Sequence, residues 1–488
     1  MTVLPFISFF AAVVCIVGFG IRAGIKTKRD PVDFYLGGRT QGAWRSAIAS
    51  FASAESGFVF LGLVGMAYTQ GFVVLWILVG VVYGYLGTWL YMAPRLRSIS
   101  EEYNTVTITQ VIGLSAGKFK KPVVAYGAIV LTFAMIMYVA VQFHAIGKTM
   151  QAVSGWPIYI GVFVGAIIIV LYSAIGGLRS VSHTDVIQGV MMICSLVFLS
   201  IVAGIEVADG GSLVLQMEEI SPKLISPFGG AEGWHAASYA FFYSIVGLGL
   251  TGAPHYLRKF MATRPKISYQ NAAWIAMPSC FLLFCAAIFI GFAGRILLVN
   301  VDDPETIVIV LGNKTLFGAT GIFYGLLVAS LFGAIASTGD SQLLEATASL
   351  TEDTRTIGIH RFLNLSPRFI IVVVGVLAFV FATLGTETIF KRTLTAWAIL
   401  GATFGPQLIL VLSRTHLSGQ GILSGMVVGS VTVLLWEFAT PWSHTIYSLV
   451  PGFILSCFVT ICVSRLSPST TVRIKRLESL EDSHHKIK

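Results

Sequence analysis

Hydrophobic residues run along this chain in long blocks separated by short polar connections. Neither the two-residue alternation of half-buried strands nor the narrow apolar stripe of soluble helices dominates. A block of about 20 apolar residues is long enough to cross ~30 Å of hydrocarbon as a helix. The pattern predicts thirteen spans, at 3–24, 43–68, 71–94, 122–152, 156–177, 184–207, 236–257, 270–298, 317–350, 368–386, 392–413, 419–438 and 443–465. The longest polar connection is Asp209–His235, and a short charged tail follows Ser464, so no soluble domain is expected.

Composition agrees: of 488 residues, 55 % are hydrophobic and only 11 % charged, which excludes an ordinary soluble protein. The net charge of +9 would suit a nucleic-acid partner, but the positions of the charges argue against one. Basic residues gather in alternate loops, at 26–30, 94–97, 118–121, 178–180 and 258–266, while the opposite loops carry Glu206, Asp209, Glu218, Glu219, Asp302, Asp303 and Glu305. That bias is the mark of topology, with the basic side cytoplasmic. Together with an odd number of spans it puts the N-terminus outside and the C-terminus inside a plasma (inner) membrane, with membrane lipid as the surrounding partner. Thr2–Gly24 is long enough to span and has no basic n-region, so it reads as a first span and not as a cleaved signal. Tyr91, Trp156, Tyr159 and Trp442 fall near span ends, where amphipathic rings favour the headgroup level. The six cysteines lie in apolar runs without a CxxC pattern and read as small core residues.

Three stretches break the apolar pattern. Within Ile48–Gly65, Ser50, Ser53, Glu55 and Ser56 precede Gly57. A carboxylate near a bilayer centre costs at least ~2.5 kcal/mol, so Glu55 must face the protein interior. It is expected to point at a solute or at the polar face of the span near 317–350. A Ser-Gly pair loosens the helical ladder and leaves backbone groups free for a ligand. The plainer alternative is a polar seam for helix packing. In Val246–His255, Gly247, Gly249 and Gly252 lower the cost of unwinding and Pro254 removes a donor. With the first span set aside, these two breaks open two groups of five spans, the pattern of an inverted-repeat transporter. In the third stretch, Ala334, Ser337, Thr338, Ser341 and Glu345 share one helical face and Asp340 flanks it. Hydroxyls, carboxylates and freed carbonyls are hard oxygen ligands for a group-one or group-two cation, although Ser and Thr also back-bond to the preceding turn. Asp185 is a further intramembrane acid, with a helix N-terminal role as the alternative.

The stretches DFYLGGR (33–39), ASAESGFVFLG (52–62), GGLRSVSHTDVIQG (176–189), GAPHYLRKFMA (252–262) and AIASTGDSQLLEATASLTED (334–353) together resemble the sodium/solute symporter family, most nearly its sodium/proline branch. The resemblance implies an all-α, LeuT-like fold of five-plus-five inverted repeats with one extra N-terminal and two extra C-terminal helices. The divisions would be 1–42, 43–207, 208–413, 414–465 and a cytoplasmic tail at 466–488. It implies a sodium site from the carbonyls of Ala52, Glu55 and Ala334 and the hydroxyls of Ser337 and Thr338. A second sodium site, found in only some members, would use Asp185, Ser337, Asp340 and Ser341. Asp340 stands where that pattern usually has serine. The solute pocket would be lined by Ser56, Gly57, Phe58, Tyr138, Gln142, Val246, Leu250 and Pro254.

The chain also departs from the proline branch. Ala54 replaces an acid, and Val246 and Leu250 replace aromatics. No Lys or Arg is expected near the pocket, which with two buried acids disfavours a multiply anionic solute. The expected function is sodium-coupled symport of a small solute, an amino acid such as proline or another small zwitterion, with no enzyme activity and no required oligomer. The alternatives are a transporter-like sensor signalling to a partner, and proton-coupled uptake of a small organic acid.

Overall fold

The structure, a computed structural model, describes residues 3–25, 27, 30–265, 267–298, 300–316, 321–359, 366–384, 387–413, 416–441 and 446–467. Trp442, the first basic loop's Lys26, Lys28 and Arg29, Lys266 and the tail from residue 468 lie outside these. The described residues are helical, and their one extended pairing is an isolated bridge between Gln41 and Thr263.

The main helices in chain order are α1 (Val3–Gly24), α2 (Ala43–Ala54), α3 (Phe58–Glu102), α4 (Gly117–Ser154), α5 (Ile158–Asp209), α6 (Gly233–Gly252), α7 (Pro254–Met261), α8 (Tyr269–Leu297), α9 (Ile322–Ile357), α10 (Pro367–Leu384), α11 (Ile389–Leu412), α12 (Gly419–Ala439) and α13 (Leu449–Leu466). Ten of the described helices are long and apolar enough to cross a membrane, or eleven when the bent pair α6 and α7 counts as one span. Length and hydropathy therefore do not return the expected thirteen. The 12-residue α2 is too short alone, because the first break cuts its span in two. The expected pair 156–177 and 184–207 forms two helices that meet at a non-helical Gly177 within the 52-residue α5, and α3 is likewise interrupted at Gly71 (φ +66°, ψ −140°).

That long helix is bent at Gly177, whose φ of +56° and ψ of −159° are accessible essentially to glycine. A Cβ there would also lie 2.6 Å from the Phe34 carbonyl. The short helix Pro31–Leu36 is seated in this bend, and Arg179 pairs with its Asp33 at 2.6 Å. Nearby, Tyr35 shares a 2.8 Å hydrogen bond with Thr351 at the end of α9, and burial pushes its hydroxyl pKa well above the usual value.

The innermost helix is α9, buried almost without interruption from Tyr324 to Ala348 and packed on α1, α2, α4 and α5. Large apolar side chains point outward from the peripheral helices, among them Phe10, Ile129, Phe163, Val376, Leu435 and Phe458. In water such a surface would be a liability; in lipid it is the solvated face. Trp156 and Tyr159 are exposed, as expected of rings at a span end. Cys280 is buried, but Cys15 and Cys194 are exposed, so the reading of all six cysteines as core residues fails for those two.

Candidate functional site

Both expected breaks exist. At the end of α2, Glu55 leaves the helical region with φ −90° and ψ 112°, and regular structure resumes after Ser56. At the second, α6 tightens into a 3-10 segment over Ile245–Gly252, Ala253 is extended, and α7 departs at 50°. Pro254 opens α7, where its missing N–H is harmless. The backbone of Gln41, just before α2, pairs with that of Ala262 and Arg264, just after α7, through bonds of 3.3 and 2.8 Å. The two broken elements are thus tied together at one end.

The first break lies against α9. Ser337 Oγ is 2.7 Å from the Ala52 carbonyl and 3.0 Å from that of Ala334. Thr338 Oγ1 is 3.4 Å from the Glu55 carbonyl and 3.3 Å from that of Ala334. The break frees the last carbonyls of α2 from their ladder, and α9 supplies two hydroxyls opposite them. These oxygens carry no formal charge and are all buried, a donor set that fits a hard monovalent cation. They are the same five residues named for the first sodium site.

One turn further along α9 lie the acids, together with two basic side chains from α7, Lys259 and Arg258. Asp185 Oδ2 is 2.5 Å from Lys259 Nζ and accepts from Ser53 Oγ at 3.2 Å, and Ser53 reaches Ser341 Oγ at 3.1 Å. Arg258 Nε pairs with Glu345 at 3.2 Å, and its Nη2 donates to the Ser341 carbonyl. Asp340 accepts from Tyr172 at 2.6 Å. Arg258 and Lys259 are therefore buried against residues of the expected second ion site and its neighbour Glu345. Residues 258 and 259 had been assigned to a cytoplasmic loop, but the bend at Ala253 turns all eight residues of α7 inward. Asp185 lies about two turns past Gly177, where its half of α5 begins, and so does not act as an N-terminal acid. Ser337, assigned to both ion sites, hydrogen-bonds at the first, with Ala52 and Ala334.

Glu55 is a second correction. Its Oε1 accepts from Tyr85 of α3 at 2.8 Å and lies 3.8 Å from Cys280 Sγ of α8. The side chain thus points at α3 and α8, while its carbonyl faces α9.

The expected pocket residues gather on the other side of the break. Ser56 Oγ caps the Phe58 N–H at 3.0 Å. A Cβ on Gly57 would meet Ala145, Ile335 and the Gln142 side chain, so glycine keeps this edge open to Gln142. Gln142 is fully buried, and neither its oxygen nor its nitrogen has a hydrogen-bond partner. Tyr138 accepts from Trp397 Nε1 of α11 at 2.7 Å and meets His255 edge-on. Phe58 stacks on Phe390 at 5.3 Å and leans on Trp397 at 5.6 Å. A cavity of about 200 Å³ begins beyond this aromatic wall, bordered by Val246, Phe390 and Tyr447 among others. Of the expected pocket residues only Val246 lines it; Phe58 and Tyr138 belong to the wall, and the rest are buried. Leu250 packs toward Gly84 of α3, and Pro254 starts α7.

Phe390 and Trp397 were missed from sequence, as were Tyr172 and Tyr85. Trp397 left a signal, being a tryptophan in mid-span, away from the headgroup level where such rings usually sit. Phe390 is held by Glu305, which accepts its N–H at 3.0 Å and pairs with Lys148 at 2.6 Å.

The model of the sodium:solute symporter family matches residues 34–429. The chain belongs to that family. As a symporter it is a multi-pass membrane transporter that couples a small solute to sodium, and it is not an enzyme. It is 31 % identical to the high-affinity proline transporter PutP of Bacillus subtilis (strain 168), over 92 % of this chain and 95 % of that protein. It is 28 % identical to the sodium/proline symporter of Staphylococcus aureus (strain JH9), over 89 % of this chain and 87 % of that protein. A sodium-coupled sialic acid symporter, solved in a substrate-bound outward-open state, superposes with a TM-score of 0.78 at 15 % identity, covering 96 % of this chain and 99 % of the other. The closed form of Mhp1, a nucleobase-cation-symport-1 transporter, gives 0.57 at 14 % identity, over 90 % of this chain and 96 % of the other. These two likenesses concern the fold.

Proposed function

We propose that this symporter imports proline or a similarly small zwitterion with sodium. The observation that carries the reading is adjacency. The five-oxygen cluster of Ala52, Glu55, Ala334, Ser337 and Thr338 uses one side of the α2 break, and the buried, unpartnered amide of Gln142 borders the other at Gly57. In this reading sodium draws the carbonyls of α2 toward α9. That fixes the break, and a fixed break presents Ser56 and Gly57 to the solute. The Phe58, Tyr138, Phe390 and Trp397 rings give a compact ring-sized wall where Val246 and Leu250 lack aromatics, which favours a solute of proline's size. Proline transport by the relatives supports the same choice.

The reading keeps the two repeats at 43–207 and 208–413, the N-terminus outside and the C-terminus in the cytoplasm. Purified symporter in liposomes should accumulate radiolabelled proline under an inward sodium gradient. Unlabelled small zwitterions should compete, and dicarboxylates should not. Equal uptake under a proton gradient in sodium-free buffer would turn the reading to proton coupling. Tight proline binding without transport would turn it to a sensor.

A further inference from the structure

The acid cluster beside the sodium position already contains a cation. Lys259 is fully buried, and its Nζ lies 2.5 Å from Asp185 Oδ2. Asp185 also accepts from Ser53, which reaches Ser341, so the ammonium joins the same Asp185–Ser341 group that would otherwise ligate a second ion. Asp340, the chain neighbour of Ser341, is buried beside this group and accepts from Tyr172. One oxygen on each aspartate, Asp185 Oδ1 and Asp340 Oδ1, has no hydrogen-bond partner, although both residues are fully buried. This is a site with the charge and donors for a cation, and the chain supplies that cation itself.

We propose that Lys259 is a tethered cation filling the second ion position at Asp185, so that this symporter binds one sodium ion per cycle.

The charge arrangement agrees. Lys259 pairs with Asp185 and Arg258 with Glu345, and all four side chains are buried. A free sodium bound at Asp185 would sit next to the buried ammonium, and two cations on one carboxylate repel each other in a low-dielectric interior. Tethering also places the second cation at no translational cost, and Lys259 moves with α7. The lysine is thus set to respond to rearrangement of the second break. The remaining lone pairs of the two aspartates stay available to water or to a shift of the ammonium.

The inference rests on the sodium reading above but addresses the number of ions, so the two fail differently. The test is binding of radioactive sodium (22Na) to purified protein in detergent, with sodium as the only probe and no solute required. The unmodified protein should bind one sodium per chain with a Hill coefficient near one. Lys259→Gln should bind two, with a Hill coefficient rising toward two, because it leaves Asp185 uncompensated. The doubly neutral Asp185→Asn, Lys259→Gln protein should return to one, and it remains informative should the single variant fail to fold. Two sodium ions on the unmodified protein overturn the proposal outright. One sodium on both the unmodified protein and a folded Lys259→Gln also overturns it, since the lysine is then not what excludes the second ion. No sodium on the unmodified protein removes the first site and this inference with it.

Discussion

Ser337 Oγ lies 2.7 Å from the carbonyl oxygen of Ala52, across 285 residues of chain. The contact joins the innermost helix to the last turn before a helix break. It holds the break only as firmly as a single hydroxyl–carbonyl bond allows. A cation at this point would bind both oxygens and replace a weak neutral contact with charge-assisted ones.

Removing either hydroxyl should therefore affect sodium first. Ser337→Ala and Thr338→Ala each remove one oxygen from the proposed site. Interactions with a charged partner are worth about 1.5–3 kcal/mol, so each change should raise the sodium concentration for half-maximal uptake by roughly 10- to 100-fold. Maximal uptake at saturating sodium should change much less. Sodium titrations of proline uptake in proteoliposomes check this, and unchanged titrations would remove the two residues from the ion site.

A second prediction concerns Gln142, whose amide is buried with both polar atoms unpartnered. Leaving such groups unsatisfied costs about 1–3 kcal/mol. Gln142→Leu should accordingly leave the solute-free protein equally stable or more stable in a thermal melt. It should also weaken solute binding at least several-fold, because the partner that the solute would satisfy is gone. A normal proline KM in this variant would make Gln142 an element of packing alone.

The two breaks and the donor stripe were legible in the sequence because membrane interiors tolerate so few polar or helix-breaking residues. Ser-Gly after Glu55 and Gly-Ala-Pro before His255 marked the breaks, and Ser337 and Thr338 marked the stripe, although both hydroxyls also make the expected back-bonds to Ala334. Side-chain direction was not legible. Glu55 sits at the edge of a break, where the helical period no longer says which way a residue points, and it turns toward Tyr85 instead of α9. Arg258 and Lys259 read as a cytoplasmic basic cluster because charge bias records sequence position, whereas the bend before α7 decides which residues stay inside. The aromatic wall was hidden for another reason: Phe390 and Trp397 come from α11, which no motif connected to the first break.

The Tyr85–Glu55 contact gives a third prediction. The hydroxyl supplies the one hydrogen bond from oxygen or nitrogen shown to this buried carboxylate, at 2.8 Å, and Oε2 has none. Tyr85→Phe should destabilise the protein by about 1–3 kcal/mol through loss of that donor. Glu55→Gln keeps an acceptor for Tyr85 and removes a buried charge, so it should be the milder change in a melt. Because the side chain points away from α9, sodium should still tighten solute binding in Glu55→Gln, and solute should tighten sodium by the same factor. Calorimetry that finds this coupling abolished would return the carboxylate to the ion or solute site.

The last prediction concerns the glycines of the second break, whose role differs from the one expected. None of Gly247, Gly249 and Gly252 has a positive φ, so the 3-10 segment does not need glycine for its backbone conformation. What it needs is proximity. A Cβ on Gly247 would lie 1.8 Å from the carbonyl oxygen of Gly80, and one on Gly80 would lie 1.9 Å from that of Ser244. On the far side, a Cβ on Gly252 would lie 2.4 Å from the carbonyl of Leu400. Backbone atoms cannot swing aside as a side chain does, so even one methyl group must drive the broken segment off α3 or α11. Gly247→Ala should therefore displace the segment bearing Val246 and Leu250 and abolish most solute uptake. Gly87→Ala, on the same helix as Gly80 but with nothing within 4 Å of its added Cβ, should be silent or slightly stabilising. The comparison separates crowding from a general intolerance of α3 and its partner. If Gly247→Ala transports as well as Gly87→Ala, the close approach of α3 and α6 has no part in transport. If both fail alike, glycine content and not proximity sets the requirement.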